Sequence, residues 1–197
     1  PDTEVLVEQV LDWIKSNASL TDKTLKRLLD LGTGSGCIAI SLAHELAALN
    51  KDYDWQVVAV DFSSEALEVA RQNAMTNNTT VEFIKSSWYD QISTDNKAKF
   101  DVIVSNPPYI DEADAHLQTL KAEPISALSA PKQGLADIEH IIKQAPIHLI
   151  SNGLLAIEHG YDQGQSVQDI FYNNGFYAIK TVKDYGGNDR VTLGQLV

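Results

Sequence analysis

Apolar side chains at Val5, Leu6, Val10, Trp13 and Ile14 recur at helical spacing, which predicts an amphipathic helix that follows a cap at Asp2 or Thr3 and ends near Asn17. Arg27 to Leu31 reads as a short buried strand that runs into Gly32-Thr33-Gly34-Ser35-Gly36, and Cys37 to Leu49 as the helix after it. Gln56 to Val60 is an unbroken apolar strand ending at Asp61, with Ser63 or Ser64 placed to cap an Ala/Glu-rich helix that continues to about Met75. Val81 to Ile84 makes a third strand. Phe100 to Ser105 stays apolar, as a strand buried on both faces does, and stops at Asn106-Pro107-Pro108-Tyr109 because proline cannot continue a central ladder.

From Ile110 to Ala136 no period holds, and Pro124 and Pro131 interrupt the stretch; a loop of that length inside a compact domain predicts a lid, a binding loop or a disordered segment. Ile138 to Leu149 resumes as a helix despite Pro146. Leu154 to Ile157 is a fifth strand, and Ser166 to Asn174 a helix closed by Gly175. Tyr177 to Val182 and Arg190 to Leu193, around Gly186-Gly187-Asn188, read as a terminal strand pair. Strands alternating with helices predict an α/β fold: a doubly wound, mostly parallel, Rossmann-like sheet with a terminal antiparallel strand, which binds ligands at the carboxyl ends of its strands.

Composition narrows the classes. At roughly 150 residues per domain, 197 residues make one domain, and 44% apolar with 21% charged residues is a globular composition rather than a disordered one. The longest apolar runs, such as Val57 to Val60, fall far short of the roughly 20 residues a membrane span requires. Pro1-Asp2-Thr3-Glu4 has neither the basic nor the apolar region of a signal peptide, so a cytoplasmic protein is expected, and the missing initiator Met suggests a fragment. The single cysteine, Cys37, has no partner for a disulfide or a zinc site. A net charge of −12 gives no general attraction to phosphates, so direct nucleic-acid binding is not expected.

Chemistry concentrates at two strand ends. Asp30-Leu31-Gly32-Thr33-Gly34-Ser35-Gly36 sets three glycines at alternate positions between a strand and a helix, where a ligand can lie against bare main chain. The loop matches neither the G-x-G-x-x-G dinucleotide fingerprint nor a P-loop, since it has no lysine for phosphates. Asp30 disfavours a pyrophosphate and suits an ammonium or sulfonium group. Asp61 is placed to accept hydrogen bonds from both hydroxyls of a ribose. A ribose with a cationic tail describes S-adenosylmethionine. A tight strand-to-helix turn with Asp61 as a helix cap is the plainer account of the same residues.

Asn106-Pro107-Pro108-Tyr109 ends the fourth strand. Neither proline has an N–H, and each residue before a proline is pushed toward extended conformations, so the main chain there shows acceptors only. The Asn106 side-chain oxygen and the Pro107 carbonyl can hold both N–H groups of a planar NH2, with Tyr109 packed on its flat face. Such nitrogens are poor nucleophiles through delocalisation, and two aimed hydrogen bonds favour a more pyramidal nitrogen whose lone pair faces the methyl group. No dedicated base is required. A rigid double-proline turn is the structural alternative.

Together, Asp30 to Gly36, Asp61 and Phe100 to Ile110 resemble the class I S-adenosylmethionine-dependent methyltransferases that modify planar amino groups. Pro1 to Glu4, Glu123-Pro124 with Ala127-Leu128, Glu158-His159-Gly160, Asp184-Tyr185-Gly186 and Asn188 to Val191 resemble, more narrowly, the peptide chain release factor glutamine methyltransferase family over nearly the whole chain. The resemblance implies methylation of the glutamine amide in the Gly-Gly-Gln motif of bacterial class I release factors. It also implies that Gly32, Thr33, Gly34, Ser35 and Gly36 line the methionine and ribose parts of the cofactor, that Asp61 binds the ribose and Trp88 the adenine, and that Asn106, Pro107, Pro108 and Tyr109 hold the glutamine, with Asn106 also bordering the cofactor. Ser87 stands where the family often has an acid, and Ala122 where a bulkier residue is common. The family's helical N-terminal domain has no counterpart in residues 1–197, so these residues are expected to be the catalytic domain.

His44, His116, His140 and His148 show no partner pattern and receive no role. Glu158 and His159 end a strand at the crevice, as a supporting pair or a structural one. Trp88 reads equally as a core aromatic, and Asp111-Glu112-Ala113-Asp114 as the solvated start of a loop. Two rival functions remain open at this stage: methylation of an exocyclic amine on a nucleic acid base, and a non-catalytic cofactor-binding module.

Overall fold

The computed structural model describes residues 2–17, 25–49, 54–108, 110–111, 129–130 and 134–197. Helix α1 (Asp2–Asn17) is followed by β1 (Leu25–Leu31), α2 (Cys37–Leu49), β2 (Asp54–Asp61), α3 (Ser64–Thr76), β3 (Glu82–Lys85), a short 3-10 turn at Asn96–Ala98 and β4 (Phe100–Ser105). Next come β5 (Ile110–Asp111), β6 (Ser129–Ala130), α4 (Ala136–His148), β7 (Leu149–Glu158), α5 (Gly164–Asn173), β8 (Phe176–Lys183) and β9 (Asp189–Leu196). Among the described residues, one seven-stranded sheet has the order β3-β2-β1-β4-β7-β9-β8, and β5 pairs with β6 apart from it. The pairs from β3 to β7 are parallel, whereas β9 runs antiparallel to both β7 and β8. That is the α/β fold expected from the sequence.

Alternation along each buried strand divides the core. Leu28, Val57, Ala59, Val102, Val104, Leu154 and Ala156 pack with Leu6 and Val10 of α1 and Leu42 of α2. Leu29, Leu31, Val58, Val60, Ile103, Leu155 and Ile157 pack with Ile138 and Ile141 of α4 and Phe171 of α5. The sheet therefore has helices on both faces, so central β4 is buried along its whole length, whereas the edge strands β3 and β8 keep exposed polar residues.

Element boundaries move where tertiary contacts supply what local pattern does not. Helix α1 already includes Asp2 and Thr3, the two positions from which the sequence suggested a cap. Strand β2 begins two residues earlier than its apolar run because Leu25 pairs with Asp54. Strand β7 begins at Leu149 rather than Leu154, with an irregular register between Phe100 and Val102 that absorbs exposed Ser151 and Asn152. Pro146 sits in the last turn of α4, where few hydrogen bonds remain to lose. Ser63 caps α3 by accepting from the Ala66 N–H at 3.1 Å, as its position suggested. Of the aperiodic stretch, only Ile110–Asp111, Ser129–Ala130 and residues 134–136 lie among the described residues. No described helix is long and apolar enough to cross a membrane.

Candidate functional site

The sheet register assembles the site. Leu31 pairs with Val60 on one side and Ser105 on the other, and Ser105 pairs with Ile157. One residue further along each strand, Asp61, Gly32, Asn106 and Glu158 stand in a row at the carboxyl ends. Asp61, Asn106 and Glu158 have the parity of Ala59, Val104 and Ala156, which pack on the α1/α2 face. Asn106 precedes Pro107, which favours an extended backbone and preserves the alternation. Two motifs separated by 70 residues in sequence thus become neighbours.

The glycine loop is held by hydrogen bonds from several elements. The Thr33 N–H donates to the Val60 carbonyl and the Gly36 N–H to the Thr33 carbonyl, each at 2.9 Å. Gly32, Gly34 and Gly36 have φ of +68°, +55° and +83°, the left-handed region that glycine enters without strain. A Cβ at Gly36 would lie 2.8 Å from Ile40 Cδ1 and 3.1 Å from Ala70 Cβ, so this glycine permits α2 and α3 to pack closely. At Gly34 a Cβ would meet nothing within 4 Å. There the loop borders open room.

Asp61 receives the Gly34 N–H on Oδ2 at 2.8 Å and the Ser63 N–H on Oδ1 at 2.9 Å. Its carboxylate holds the loop and the entry to α3, and each oxygen keeps a lone pair for a further donor. Asp30 is fully buried; its Oδ2 accepts from the Thr33 hydroxyl at 2.6 Å, and Oδ1 has no hydrogen-bond partner among the described residues. Burial raises the Asp30 carboxyl from 3.8 to about 7, against the pull of the Thr33 hydroxyl and the Ala39 amide, and nearby Asp61 adds to the rise. A carboxyl kept on the threshold of ionisation at this strand end suits a cationic ligand. The open side of Gly34, the spare lone pairs of Asp61 and the incompletely bonded Asp30 fit a ribose joined to a positively charged tail.

Trp88 adopts φ of +46° and lays its ring on Gly32, where an added Cβ would come within 3.1 Å of Cζ3. Its turn is fastened by Ser86, whose N–H donates to the Asp61 carbonyl and whose Oγ donates to the Trp88 carbonyl, both at 2.9 Å. The ring also packs on the second core and faces α4, where the indole N–H partly offsets the rise that burial imposes on the Asp137 carboxyl. Trp88 is therefore half core aromatic and half crevice wall.

Asn106 and Pro108 are partly buried and Pro107 is buried, while Tyr109 lies outside the described residues, as do Glu123, Pro124, Ala127, Leu128 and His116. Ser105 donates to the Leu31 carbonyl at 2.8 Å, which fastens the platform to the glycine loop. Glu158 is 1% exposed, and its strand neighbour on the outer side is Val191. His159, directly after it, faces the opposite side and is not part of the row. Its Nδ1–H donates to the Gly160 carbonyl and its Nε2 accepts from the Thr192 hydroxyl, both at 2.8 Å; Thr192 accepts from Thr181, and Thr181 from Gln168. Burial lowers the His159 pKa, so the ring is neutral and this tautomer satisfies the whole chain of donors. Its role is structural. His148 is likewise a core group, stacked on Tyr89 with ring centroids 4.5 Å apart.

Some contributors carried no local signal. Asn73 of α3 donates to the Ser35 carbonyl at 2.9 Å, and Arg190, paired with Asp184 at 3.1 Å, accepts the His159 N–H on its own carbonyl. Both act across long stretches of sequence. Phe62, next to Asp61 in sequence, leaves a large apolar side chain 60% exposed and could have been noticed from its position alone.

A family model described as the methyltransferase small domain matches residues 16–173. A release factor glutamine methyltransferase of Pasteurella multocida is 45% identical over 98% of the chain, and one of Escherichia coli is 42% identical over 99%. The chain spans 66% of the length of each of these relatives. A ribosomal protein L11 methylase from Lactobacillus delbrueckii subsp. bulgaricus superposes with a TM-score of 0.61 at 20% identity, covering 96% of this chain and 80% of that one. A Thermus thermophilus 16S rRNA N2 G1207 methyltransferase, solved with AdoMet and guanosine, gives 0.66 at 17% identity, covering 100% of this chain and 43% of that one. These structures agree with the fold.

Proposed function

Because the chain belongs to the methyltransferase small domain family, we propose that it transfers a methyl group from S-adenosylmethionine to the side-chain amide nitrogen of the Gly-Gly-Gln glutamine in a bacterial peptide chain release factor. The observation that carries this function is the register that sets the glycine loop and Asn106 side by side at the ends of β1 and β4. The acceptor is supported by relatives named for it. A release factor substrate assigns the reaction to the cytoplasm.

Asp30 stands at the cationic end of the cofactor site, Gly32, Thr33, Gly34, Ser35 and Gly36 line its methionine and ribose parts, Asp61 binds the ribose and Trp88 lies against the adenine. When bound, the cofactor supplies an electrophilic methyl carbon on a sulfonium. The Asn106 side-chain oxygen and the Pro107 carbonyl each accept one N–H of the glutamine amide, which holds its nitrogen in place and turns the lone pair toward that carbon. Pro108 stiffens the platform, and Tyr109 covers the flat face of the amide.

Purified protein, the cofactor and a full-length release factor should yield one added methyl on the glutamine, read by peptide mass. Asn106→Ala is expected to lower transfer by about 100-fold or more, with cofactor affinity retained. Undiminished transfer in that variant, or methyl incorporation into DNA or rRNA in place of the release factor, would refute the proposal.

A further inference from the structure

Glu158 carries a carboxylate that no step above uses. It is 1% exposed at the last position of β7, and a buried carboxylate is kept only where partners or a function offset its desolvation. The register that pairs Ser105 with Ile157, continued by one residue, sets Asn106, the first residue after β4, beside Glu158, the last of β7, and alternation gives the two the parity of Val104 and Ala156, which pack on the α1/α2 face. Residues level on neighbouring strands have main chains about 4.8 Å apart, within reach for two polar side chains. The backbone of Glu158 is braced on both sides. Val191 pairs with it in β9, and the next residue, His159, is locked by its bonds to Thr192 and Gly160 on the opposite face.

A platform built on Asn106 has one weakness. A terminal amide can present either its oxygen or its NH2, and only the oxygen can accept from a target N–H. A carboxylate is acceptor-only and can face nothing but the NH2 edge. Resting on the glutamine transfer proposed above, we propose that Glu158 is a positioning residue: its carboxylate accepts from Asn106 Nδ2 as the target amide arrives, committing Asn106 Oδ1 to the substrate. The same contact polarises the Asn106 amide and makes that oxygen a better acceptor.

Glu158→Gln tests the idea because glutamine keeps the shape but can face Asn106 with either edge. Expected are a melting temperature and cofactor affinity close to those of the parent, a kcat on release factor lowered about tenfold or more, and a KM changed less than about threefold. Glu158→Asp, which retains the charge, should recover part of kcat. The second readout is independent of turnover. The Asn106 side-chain NH2 resonances, assigned by their loss in Asn106→Asp, should shift in Glu158→Gln when S-adenosylhomocysteine and a glutamine peptide are added. Parent-like kcat, resonances unmoved by the substitution, or an activity loss matched by a fall in melting temperature would each overturn the assignment. If the parent protein bound cofactor but methylated no release factor, the function proposed above would fail, and the resonance experiment would still decide for or against Glu158.

Discussion

Gly34 and Gly36 differ by two positions and do different work. Both have positive φ, so alanine at either costs about 1 kcal/mol in backbone strain. At Gly36 the added methyl also collides with Ile40 and Ala70, so Gly36→Ala should destabilise by about 2 kcal/mol or more, read from the urea midpoint. At Gly34 the methyl enters open room. Gly34→Ala should therefore lose only the backbone strain of about 1 kcal/mol and also weaken cofactor binding, read by titration calorimetry.

Asp30 gives a prediction with a defined sign. Its folded-state pKa of about 7 stands above the ordinary 3.8, so within that window the folded protein binds more protons than the unfolded chain. Stability is then lost as pH rises through the window, and the loss is complete above about 7. Asp30→Asn should stabilise by an amount on the order of 2 to 4 kcal/mol near pH 8 and by almost nothing near pH 4. A melting-temperature difference that did not grow with pH would contradict the assignment. A site that pays this penalty for a buried carboxyl is trading stability for ligand chemistry.

At the scale of elements, the end of β7 is built by the last two strands. Gln168 on α5, Thr181 on β8, Thr192 on β9 and His159 form one directed chain of hydrogen bonds. Thr192→Val keeps the shape and removes the central hydroxyl, which leaves His159 Nε2 without its donor. Destabilisation of about 1–3 kcal/mol is expected by chemical denaturation. The strands and helices themselves were largely readable from period, since β4 and α2 begin and end where the pattern puts them. Strand β7 was only half legible: Leu149 to Gly153 joins it because β4 lies alongside, and no local signal announces a neighbouring strand.

For the whole molecule, a net charge of −12 means that the compact state works against its own repulsion. Raising sodium chloride from about 10 mM to about 300 mM should raise the melting temperature, because the Debye length shortens from about 30 Å to less than 8 Å. The Lys26–Asp101 pair, buried at the opposite end of the sheet with 3.7 Å between charges, should feel little of that screening. A melting temperature that fell with salt would show that attractive pairs outweigh the repulsion.

The chain alone determined the alternation of strands and helices, the alternate glycines, Asp61 at a strand end and the acceptor-only run after Ser105, because each of these is a short-range consequence of residue type. It could not determine that Asp61, Gly32, Asn106 and Glu158 stand in one row, that Asn73 steadies the loop, or that His159 turns away from the crevice. Strand order and register decide those relations. They are settled by how the two apolar faces of the sheet pack against the helices, a property of distant residues acting together.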